Sequence, residues 1–288
     1  MRTPHILRIE KEVILLSNLV DLHIHTTASD GTTSPREVIK KAIKKGLKYI
    51  SITDHESINA YDEIFSDHFD ENEINIIPGI ELHAFYKGKE IHLLGYNIDL
   101  KEETFRSKLK IIRKERTDIA KEMVQMLKNK GMKISWDSFI EIEKRDVAVT
   151  KAHIIGYIRE NYGIDRNLFY DYFHPQGRFY IAYKGNPFES AVKMIRKMDG
   201  IAVLAHPGLI GDDAYVEEIL DQFKVGLEVY YHYFGNQSPL WVEKYKKMSQ
   251  DKKCLFTGGS DYHGTITPVE IGDTYVPMEA VFNLNCKT

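Results

Sequence analysis

The 288-residue sequence contains little cysteine and no long apolar run, and each shortage excludes a class of protein. Its two cysteines, Cys254 and Cys286, cannot form the disulfide framework of a small secreted protein. The apolar run Val13–Leu16 near the first residue is too short for a signal peptide or a membrane span. We therefore expect a cytoplasmic protein that does not enter the membrane.

A strong charge of one sign is also lacking. The formal net charge is −3, which argues against a protein that coats nucleic acid, so we expect no binding of duplexes. Apolar residues make up 43% of the chain and charged residues 28%, which is ordinary for a soluble globular protein. The twelve histidines are many for a chain without a histidine-rich tract. Their positions are therefore informative.

The sequence Asp-Leu-His-Ile-His, which begins at Asp21, alternates like a β-strand. Successive strand side chains point to opposite faces, so Asp21, His23 and His25 share one face. Leu22 and Ile24 share the other. Two histidines on one face indicate either a metal-binding strand or a pair of hydrogen-bonded structural histidines. The first interpretation gains weight because later apolar runs also end in His, Asp or Glu.

The next segment predicts a helix followed by a second strand. Ser34 can cap the helix, Pro35 suits its first position, and Glu37 completes a capping box. The helix ends at Gly46, and an apolar strand then delivers His55 at its carboxyl end. Later runs carry or end at Glu81, His92, His206, Glu228, His232, Asp261 and His263. This order predicts a parallel α/β sheet whose polar residues gather at the carboxyl ends of the strands, as in barrel enzymes.

Residues 101–188 interrupt this order. Apolar residues recur at helical spacing from Phe105 to Met126. Three aromatic, helix-like stretches follow, at Trp136–Ile142, Lys151–Tyr162 and Phe169–Phe173. We expect a mostly helical insertion between two strands. Residues 101–133 contain 11 Lys and Arg and 5 Asp and Glu. This excess of positive charge indicates either a solvated helix face or a positively charged rim over a metal site that binds anions.

Nine residues are candidate metal ligands. They are His23, His25, Asp30, His55, Glu81, His92, His206, Asp261 and His263. Imidazole and carboxylate donors without thiolate are typical of catalytic Zn, Mn or Fe sites. Because this set exceeds the needs of one ion, we expect two or three divalent ions, with a carboxylate shared between neighbouring ions.

Five short motifs in this order resemble the PHP family, named for polymerase and histidinol phosphatase. They are Asp-Leu-His-Ile-His-Thr with Ser29-Asp30-Gly31, Thr53-Asp54-His55, Pro78-Gly79-Ile80-Glu81, Ala205-His206-Pro207 and Gly259-Ser260-Asp261-Tyr262-His263-Gly264. The resemblance implies a distorted (β/α)7 barrel that binds up to three divalent ions, here with a mostly helical inserted domain. The barrel would comprise residues 1–100 and 189–288, and residues 101–188 would cover the active site.

The resemblance also implies how the ligands are shared. A first ion would be held by His23, His25, Glu81 and Asp261, a second by Glu81 as the bridge with His92 and His206, and a third by Asp30, His55 and His263. All of these except His92 and His206 are implied to be catalytic. Asp21 and Asp54 are expected to accept hydrogen bonds from ligand histidines and so fix their tautomers.

The insertion narrows the resemblance to PHP phosphoesterases that act on nucleoside 3′,5′-bisphosphates and on the 5′ ends of short RNA. Those relatives often have Gly-Arg-Pro-His where this chain has Thr150-Lys151-Ala152-His153. Lys151 keeps the positive charge but lacks the planar fork of arginine. His83 also differs from the small residue expected near Glu81. The candidate substrate-binding residues are Arg116, Lys151, His153, Arg178, Lys184 and His232.

Together these features predict a metal-dependent phosphoesterase. Two neighbouring ions would lower the pKa of a bridging water to roughly 7, and the resulting hydroxide would attack the phosphorus in line. The substrate would be the 3′-phosphate of a nucleoside 3′,5′-bisphosphate or the 5′ end of a short oligoribonucleotide. Histidinol-phosphate phosphatase is an alternative within the family. A non-catalytic PHP module that binds a partner and a C–N bond hydrolase on a similar barrel are alternatives of other kinds.

Overall fold

The computed structural model describes residues 19–66, 73–163, 172–174, 176–233 and 238–285. Its strands are β1 (Val20–Ile24), β2 (Tyr49–Ile52), β3 (Asn75–Ile76), β4 (Gly79–Tyr86), β5 (Lys89–Tyr96), β6 (Ile201–Leu204), β7 (Gly226–Tyr231) and β8 (Phe256–Gly259). The α-helices of these ranges are α1 (Pro35–Lys45), α2 (Asn59–Ser66), α3 (Glu103–Asn129), α4 (Ile140–Lys144), α5 (Lys151–Tyr162), α6 (Phe188–Lys197), α7 (Asp213–Phe223), α8 (Ser238–Asp251) and α9 (Glu279–Asn285). The predicted α/β class is therefore confirmed.

Helix α1 forms where the local sequence predicts it. Ser34 accepts a hydrogen bond from the backbone N–H of Glu37, and the Glu37 carboxylate accepts one from the backbone N–H of Ser34. The helix ends at Gly46, which adopts a left-handed φ of 85° that glycine reaches without strain. Both ends are thus fixed by residues within a few positions of the helix.

The strands form two sheets. β1, β2 and β3 are parallel, and β4 to β8 form a five-stranded sheet in chain order. In the larger sheet β6, β7 and β8 are parallel, but β4 and β5 form an antiparallel hairpin, and β5 is antiparallel to β6. The prediction of an all-parallel sheet is wrong here. Lys87 and Gly88 both have positive φ, 42° and 88°, and such two-residue turns reverse the chain at once.

The position of Glu81 also differs from the prediction. The sequence indicated a strand that ends at Glu81, whereas β4 begins at Gly79 and continues to Tyr86. Pro78 cannot donate to a sheet and so stands before the strand instead of within it. Glu81 is therefore an interior residue of β4, and His92 lies in the middle of β5.

Isolated bridges link the two sheets near Glu81. Ile24 pairs with Tyr262, and His55 pairs with Glu81. The backbone N–H of His25 donates to the Tyr262 carbonyl at 2.9 Å, beside the first of these bridges. The carboxyl ends of β1, β2 and β8 therefore lie next to the part of β4 that carries Glu81.

A second hydrophobic cluster is made by residues between Ile119 and Ile181, whereas Phe105 and Leu109 of α3 pack into the main core. Met123 and Leu127 of α3 pack with Phe139 and with Ile154 and Ile158 of α5. Lys151–Tyr162 is helical as predicted, and Trp136–Ile142 forms a short 3-10 turn that leads into α4. Of the predicted stretch Phe169–Phe173, the first three residues lie outside the described ranges. Within those ranges, the helices lack the combination of length and apolar character that a membrane span requires.

Candidate metal centre

The nine predicted ligands converge on one region between the two sheets. His23 lies on β1, His25 and Asp30 in the following loop, His55 after β2, Glu81 on β4, His92 on β5, His206 after β6, and Asp261 and His263 after β8. Parallel strands place their following loops at one edge, and the β4–β5 hairpin brings Glu81 and His92 to the same place. Eight of the nine are buried or nearly so, and His92 is half-buried.

The first donor group consists of His23, His25, Glu81 and Asp261. Nε2 of His23 lies 3.1 Å from Nε2 of His25. The same atom lies 3.3 Å from Glu81 Oε2 and 3.2 Å from Asp261 Oδ1. His25 Nε2 is 3.2 Å from each of these oxygens. Four donor atoms from three separate parts of the chain thus surround one point.

The second donor group consists of Glu81, His92 and His206. Oε1 of Glu81, the oxygen not used in the first group, lies 3.0 Å from His92 Nδ1 and 3.1 Å from His206 Nε2. The two histidine nitrogens are 3.1 Å apart. Glu81 therefore offers one carboxylate oxygen to each donor group, as a bridging carboxylate does.

The third donor group consists of Asp30, His55 and His263, together with the second nitrogen of His25. His263 Nε2 lies 3.5 Å from Asp30 Oδ1, and His55 Nε2 lies 3.9 Å from Asp30 Oδ2. His25 Nδ1 is 3.8 Å from the same carboxylate. This group is wider than the other two.

The donor spacing fits divalent ions. Donor atoms about 2.1 Å from a common ion lie ~3.0–3.4 Å from one another in octahedral or tetrahedral geometry. The first and second donor groups show spacings of 3.0 to 3.3 Å. In addition, Asp30 Oδ1 and His55 Nδ1 are buried without a completed hydrogen bond, and their nearest polar neighbours are His263 Nε2 at 3.5 Å and Glu81 Oε2 at 3.1 Å, which belong to the donor groups themselves. Buried donor atoms that face one another in this way are what a cation site requires, so the residues fit the ions.

The electrostatics keep the carboxylates ionised. Burial alone would raise the pKa of Glu81, but His55, His23 and His92 hold it well below its usual value. The histidines around Asp30 and Asp261 likewise overcome burial and lower the pKa of each carboxyl group. Burial would lower the pKa of His25, yet Asp261 and Glu81 raise it to about 10. The negative charge of these carboxylates therefore requires compensating positive charge, which either protons or metal ions can supply.

Asp21 and Asp54 do not fix the ligand histidines as predicted. Asp21 accepts from the backbone N–H groups of Ser260 at 2.9 Å and Gly272 at 2.8 Å. Asp54 accepts from Thr26 and Ser29. The prediction is wrong because both carboxylates accept hydrogen bonds from backbone N–H groups or hydroxyl groups of loops instead of from histidine rings.

The carboxylate that holds a ligand ring is Glu228, to which sequence reasoning gave no role. Its Oε1 lies 2.8 Å from His23 Nδ1. A lone acidic residue inside the buried strand β7 was the available signal, because a carboxylate in such a place needs a specific partner.

His83, His55 and His92 form a fourth group of neighbouring donor atoms, although His83 is not among the predicted ligands. Its Nδ1 is 3.2 Å from Glu56 Oε1, and its Nε2 is 3.0 Å from Arg116 Nη2. Burial and the Arg116 charge lower the pKa of His83 well below its usual value. The ring is therefore neutral, with Nδ1–H donating to Glu56 and Nε2 accepting from Arg116. Both nitrogens are occupied, and the guanidinium would repel a cation.

A cavity of about 320 Å³ opens beside the donor groups. Its lining includes the polar residues Asp30, His55 and His92 and the apolar residues Ile119, Ala120, Met123 and Ile181. Arg116 and Lys151 also line it. Lys151 Nζ lies 4.9 Å from the ring centre of Tyr180, and burial lowers the pKa of this lysine. The cavity thus combines donor groups, two cations and an apolar wall.

The other predicted substrate-binding residues are less directly placed. His153 Nδ1 accepts a 3.1 Å hydrogen bond from the backbone N–H of Thr150 and so caps α5. Arg178 and Lys184 are exposed, and His232 is half-buried after β7. Over the described ranges, the cavity lining includes neither these three residues nor His153. The structure therefore brings Arg116 and Lys151 to the cavity lining, and His153 lies next to it, near Ser29 and Asp30.

The basic segment is mostly solvated. Lys114 pairs with Asp118 at 2.7 Å, and Lys121 pairs with Glu143 at 2.8 Å, both toward solvent. Arg116 instead turns inward to the cavity wall. The interpretation as a solvated helix face thus describes these two lysines, and the positive charge at the cavity comes from Arg116 and Lys151.

Several known proteins are similar to this chain. The PHP domain family pattern matches residues 21–174. The 5′-3′ exoribonuclease Rnm of Salmonella typhimurium is 26% identical over 265 residues, 88% of each chain. A 3′,5′-nucleoside bisphosphate phosphatase of Chromobacterium violaceum is 25% identical over 85% of this chain and 87% of its own. A Bifidobacterium adolescentis structure described as a metal-dependent phosphoesterase superimposes with a TM-score of 0.81 at 25% identity, covering 93% of this chain and 96% of that chain.

Proposed function

The chain belongs to the PHP domain family and is a metal-dependent phosphoesterase, and from this premise we propose which ester it hydrolyses. The proposed substrate is the 3′-phosphate of a nucleoside 3′,5′-bisphosphate or the 5′ end of a short oligoribonucleotide. The observation that carries the proposal is Glu81, which is shared between two donor groups at the wall of a cavity that also contains two cations. The names of the two relatives support the same substrate class.

We propose that the sheets close into a distorted (β/α)7 barrel made of residues 1–100 and 189–288. The bridges Ile24–Tyr262 and His55–Glu81 support closure, because they connect both ends of the five-stranded sheet to β1 and β2. Residues 101–188 would be the helical insertion that covers the active site. Its separate hydrophobic cluster and the inward position of Arg116 support this division.

The proposed ligands are those of the three donor groups, and the proposed ions are two or three of Mn, Zn or Fe. The first and second donor groups have the tighter spacing and share Glu81, so they support an adjacent pair of ions. The third donor group is wider and supports a third ion less directly. When bound, divalent ions would supply Lewis-acid chemistry, lowering the pKa of a water molecule and neutralising the charge of the phosphoryl group.

The chain's own residues would bind and orient the substrate. Arg116 and Lys151 line the same cavity as Asp30, His55 and His92, where they can offset the charge of a phosphate that does not react. Ile119 and Met123 provide an apolar surface for the nucleoside. The cavity volume of about 320 Å³ lies at the lower end of small-molecule pockets, about 300–1,000 Å³, and so suits one nucleotide at a time.

The test measures the release of inorganic phosphate and of mononucleotides from a substrate panel in the presence of Mn(II). The panel contains adenosine 3′,5′-bisphosphate, a 5′-phosphorylated trinucleotide and histidinol phosphate. The proposal expects activity on the nucleotides and little on histidinol phosphate. Preferential phosphate release from histidinol phosphate would support the alternative phosphatase. Release of neither phosphate nor mononucleotide from any ester would support a non-catalytic module.

Asp261→Ala tests the ligand assignment. It removes one donor from the first donor group, so we expect loss of phosphate release by on the order of 100-fold or more, together with loss of bound metal. Asp118→Ala is the matched control, because Asp118 is an exposed partner of Lys114 on α3. Full activity in the metal-stripped Asp261→Ala protein would refute the assignment.

A further inference from the structure

Strand β7 contributes none of the nine proposed ligands, yet two of its side chains reach three of them. Glu228 is fully buried, with Oε1 2.8 Å from His23 Nδ1. Its Oε2 accepts a 2.7 Å hydrogen bond from the backbone N–H of His206. Tyr231 donates to Asp261 Oδ2 at 2.9 Å. β7 therefore contacts residues of both the first and the second donor group.

A β-bulge allows both side chains to face the centre. Glu228 and Tyr231 are three positions apart, so in a regular strand they would point to opposite faces. The register of β7 against β8 shifts between Glu228 and Tyr230, which leaves Val229 as the extra residue. Gly258 of β8 makes room for this, because a Cβ there would lie 2.4 Å from the Tyr230 Cβ. The bulge thus turns Tyr231 toward Asp261.

The ligand residues held at their strand ends have unusual backbones. His206 has a φ of 27° and Asp261 a φ of 54°, both in the left-handed region. Residues other than glycine are uncommon there and persist only where the surroundings fix them. His206 is fixed through its own N–H by Glu228, and Asp261 through its carboxylate by Tyr231.

We propose that Glu228 and Tyr231 are positioning residues of the metal centre. The inference rests on the proposed function, because it presumes ions at the first and second donor groups. Glu228 accepts the proton of His23 Nδ1, which leaves a lone pair on His23 Nε2, the atom that faces Glu81 and Asp261. Tyr231 occupies Oδ2 of Asp261, which leaves Oδ1 directed at the histidines.

The conservative substitution Glu228→Gln separates this role from simple space filling. A glutamine has one accepting oxygen and one donating NH2 group, whereas Glu228 accepts at both oxygens. If the amide oxygen accepts from the His206 N–H, the NH2 group faces His23 Nδ1 and forces the ring proton onto Nε2. That proton would point into the first donor group. If the amide is reversed, the His206 backbone loses its acceptor.

The experiment measures Mn(II) affinity by equilibrium dialysis after treatment with a chelator. We expect Glu228→Gln to bind Mn(II) about 10–100-fold more weakly than wild type. Tyr231→Phe, which removes one hydroxyl, should weaken binding about 2–10-fold. Tyr230→Phe is the matched control and should bind normally, because Tyr230 lies on the opposite face, near Phe256 and Tyr275.

Thermal unfolding of the metal-free proteins checks that the variants are folded. Wild-type Mn(II) affinity in both Glu228→Gln and Tyr231→Phe would overturn the inference while leaving the proposed function intact. A wild-type protein that neither binds Mn(II) nor hydrolyses any ester of the substrate panel would overturn the proposed function and this inference together. If Glu228→Gln does not fold, Tyr231→Phe against Tyr230→Phe decides the question.

Discussion

Replacing Arg116 by methionine tests how the helical segment is joined to the metal-bearing sheets. Arg116 of α3 donates to Glu56, which follows β2, and its second terminal nitrogen lies 3.0 Å from His83 Nε2. Glu56 is 0% exposed and Arg116 is 9% exposed. Arg116→Met keeps most of the side-chain volume but leaves the Glu56 carboxylate buried without its cation.

The expected loss follows from the cost of an uncompensated buried charge. Breaking a buried ion pair by removing one partner costs about 3–5 kcal/mol. The lower end applies here, because Glu56 keeps a 2.5 Å hydrogen bond from the backbone N–H of His83. We therefore expect Arg116→Met to lose about 3 kcal/mol of unfolding free energy. At about 2–4 °C per kcal/mol, the unfolding midpoint should fall by ~6–12 °C.

A double-mutant cycle makes this prediction specific. Glu56→Gln removes the buried charge, so the double variant Arg116→Met, Glu56→Gln should be more stable than the sum of the single losses by about 0.5–3 kcal/mol. Lys114→Met on the same helix breaks the exposed pair with Asp118 and should cost less than about 0.5 kcal/mol. Urea unfolding of chelator-treated protein provides the measurement. A loss below about 1 kcal/mol for Arg116→Met, or strictly additive losses, would refute the reasoning.

Two further predictions concern the cavity and the packing of β8. Burial and Arg116 lower the pKa of Lys151 while Glu90 opposes them, so this lysine loses its charge at a lower pH than an exposed lysine. KM should therefore rise with pH on the alkaline side. Lys151→Arg should flatten that rise, because arginine stays charged. Identical pH profiles of KM for the two proteins would contradict this prediction. Gly259→Ala would place a Cβ 2.3 Å from the His23 backbone nitrogen, so we expect lower stability and weaker metal binding. Gly156→Ala on α5 is its control, because open space surrounds that position. Alanine there should stabilise the helix by about 0.5–1 kcal/mol, which thermal unfolding measures. A Gly259→Ala protein as stable as wild type would show that β1 and β8 are not in rigid contact.

Sequence reasoning succeeded where a structure depends on neighbouring residues. The capping box at Ser34 and the left-handed Gly46 define α1 without help from the rest of the chain. It failed for β4 and β5, where an apolar run predicted a parallel strand. The direction of a strand depends on its connection, and here two residues with positive φ produce a hairpin.

The sequence by itself determined the kinds of donor atoms, the helix boundaries that caps define, and the family to which the chain belongs. Only the tertiary structure decided that Glu81 lies inside a hairpin strand, that His83 pairs with Glu56 and Arg116, and that β7 supports His23 from 205 positions away. The physical reason is the distance along the sequence over which each interaction acts. Side-chain periodicity and capping act over a few residues, whereas a hydrogen bond between distant segments exists only once the sheets have brought them within about 3 Å.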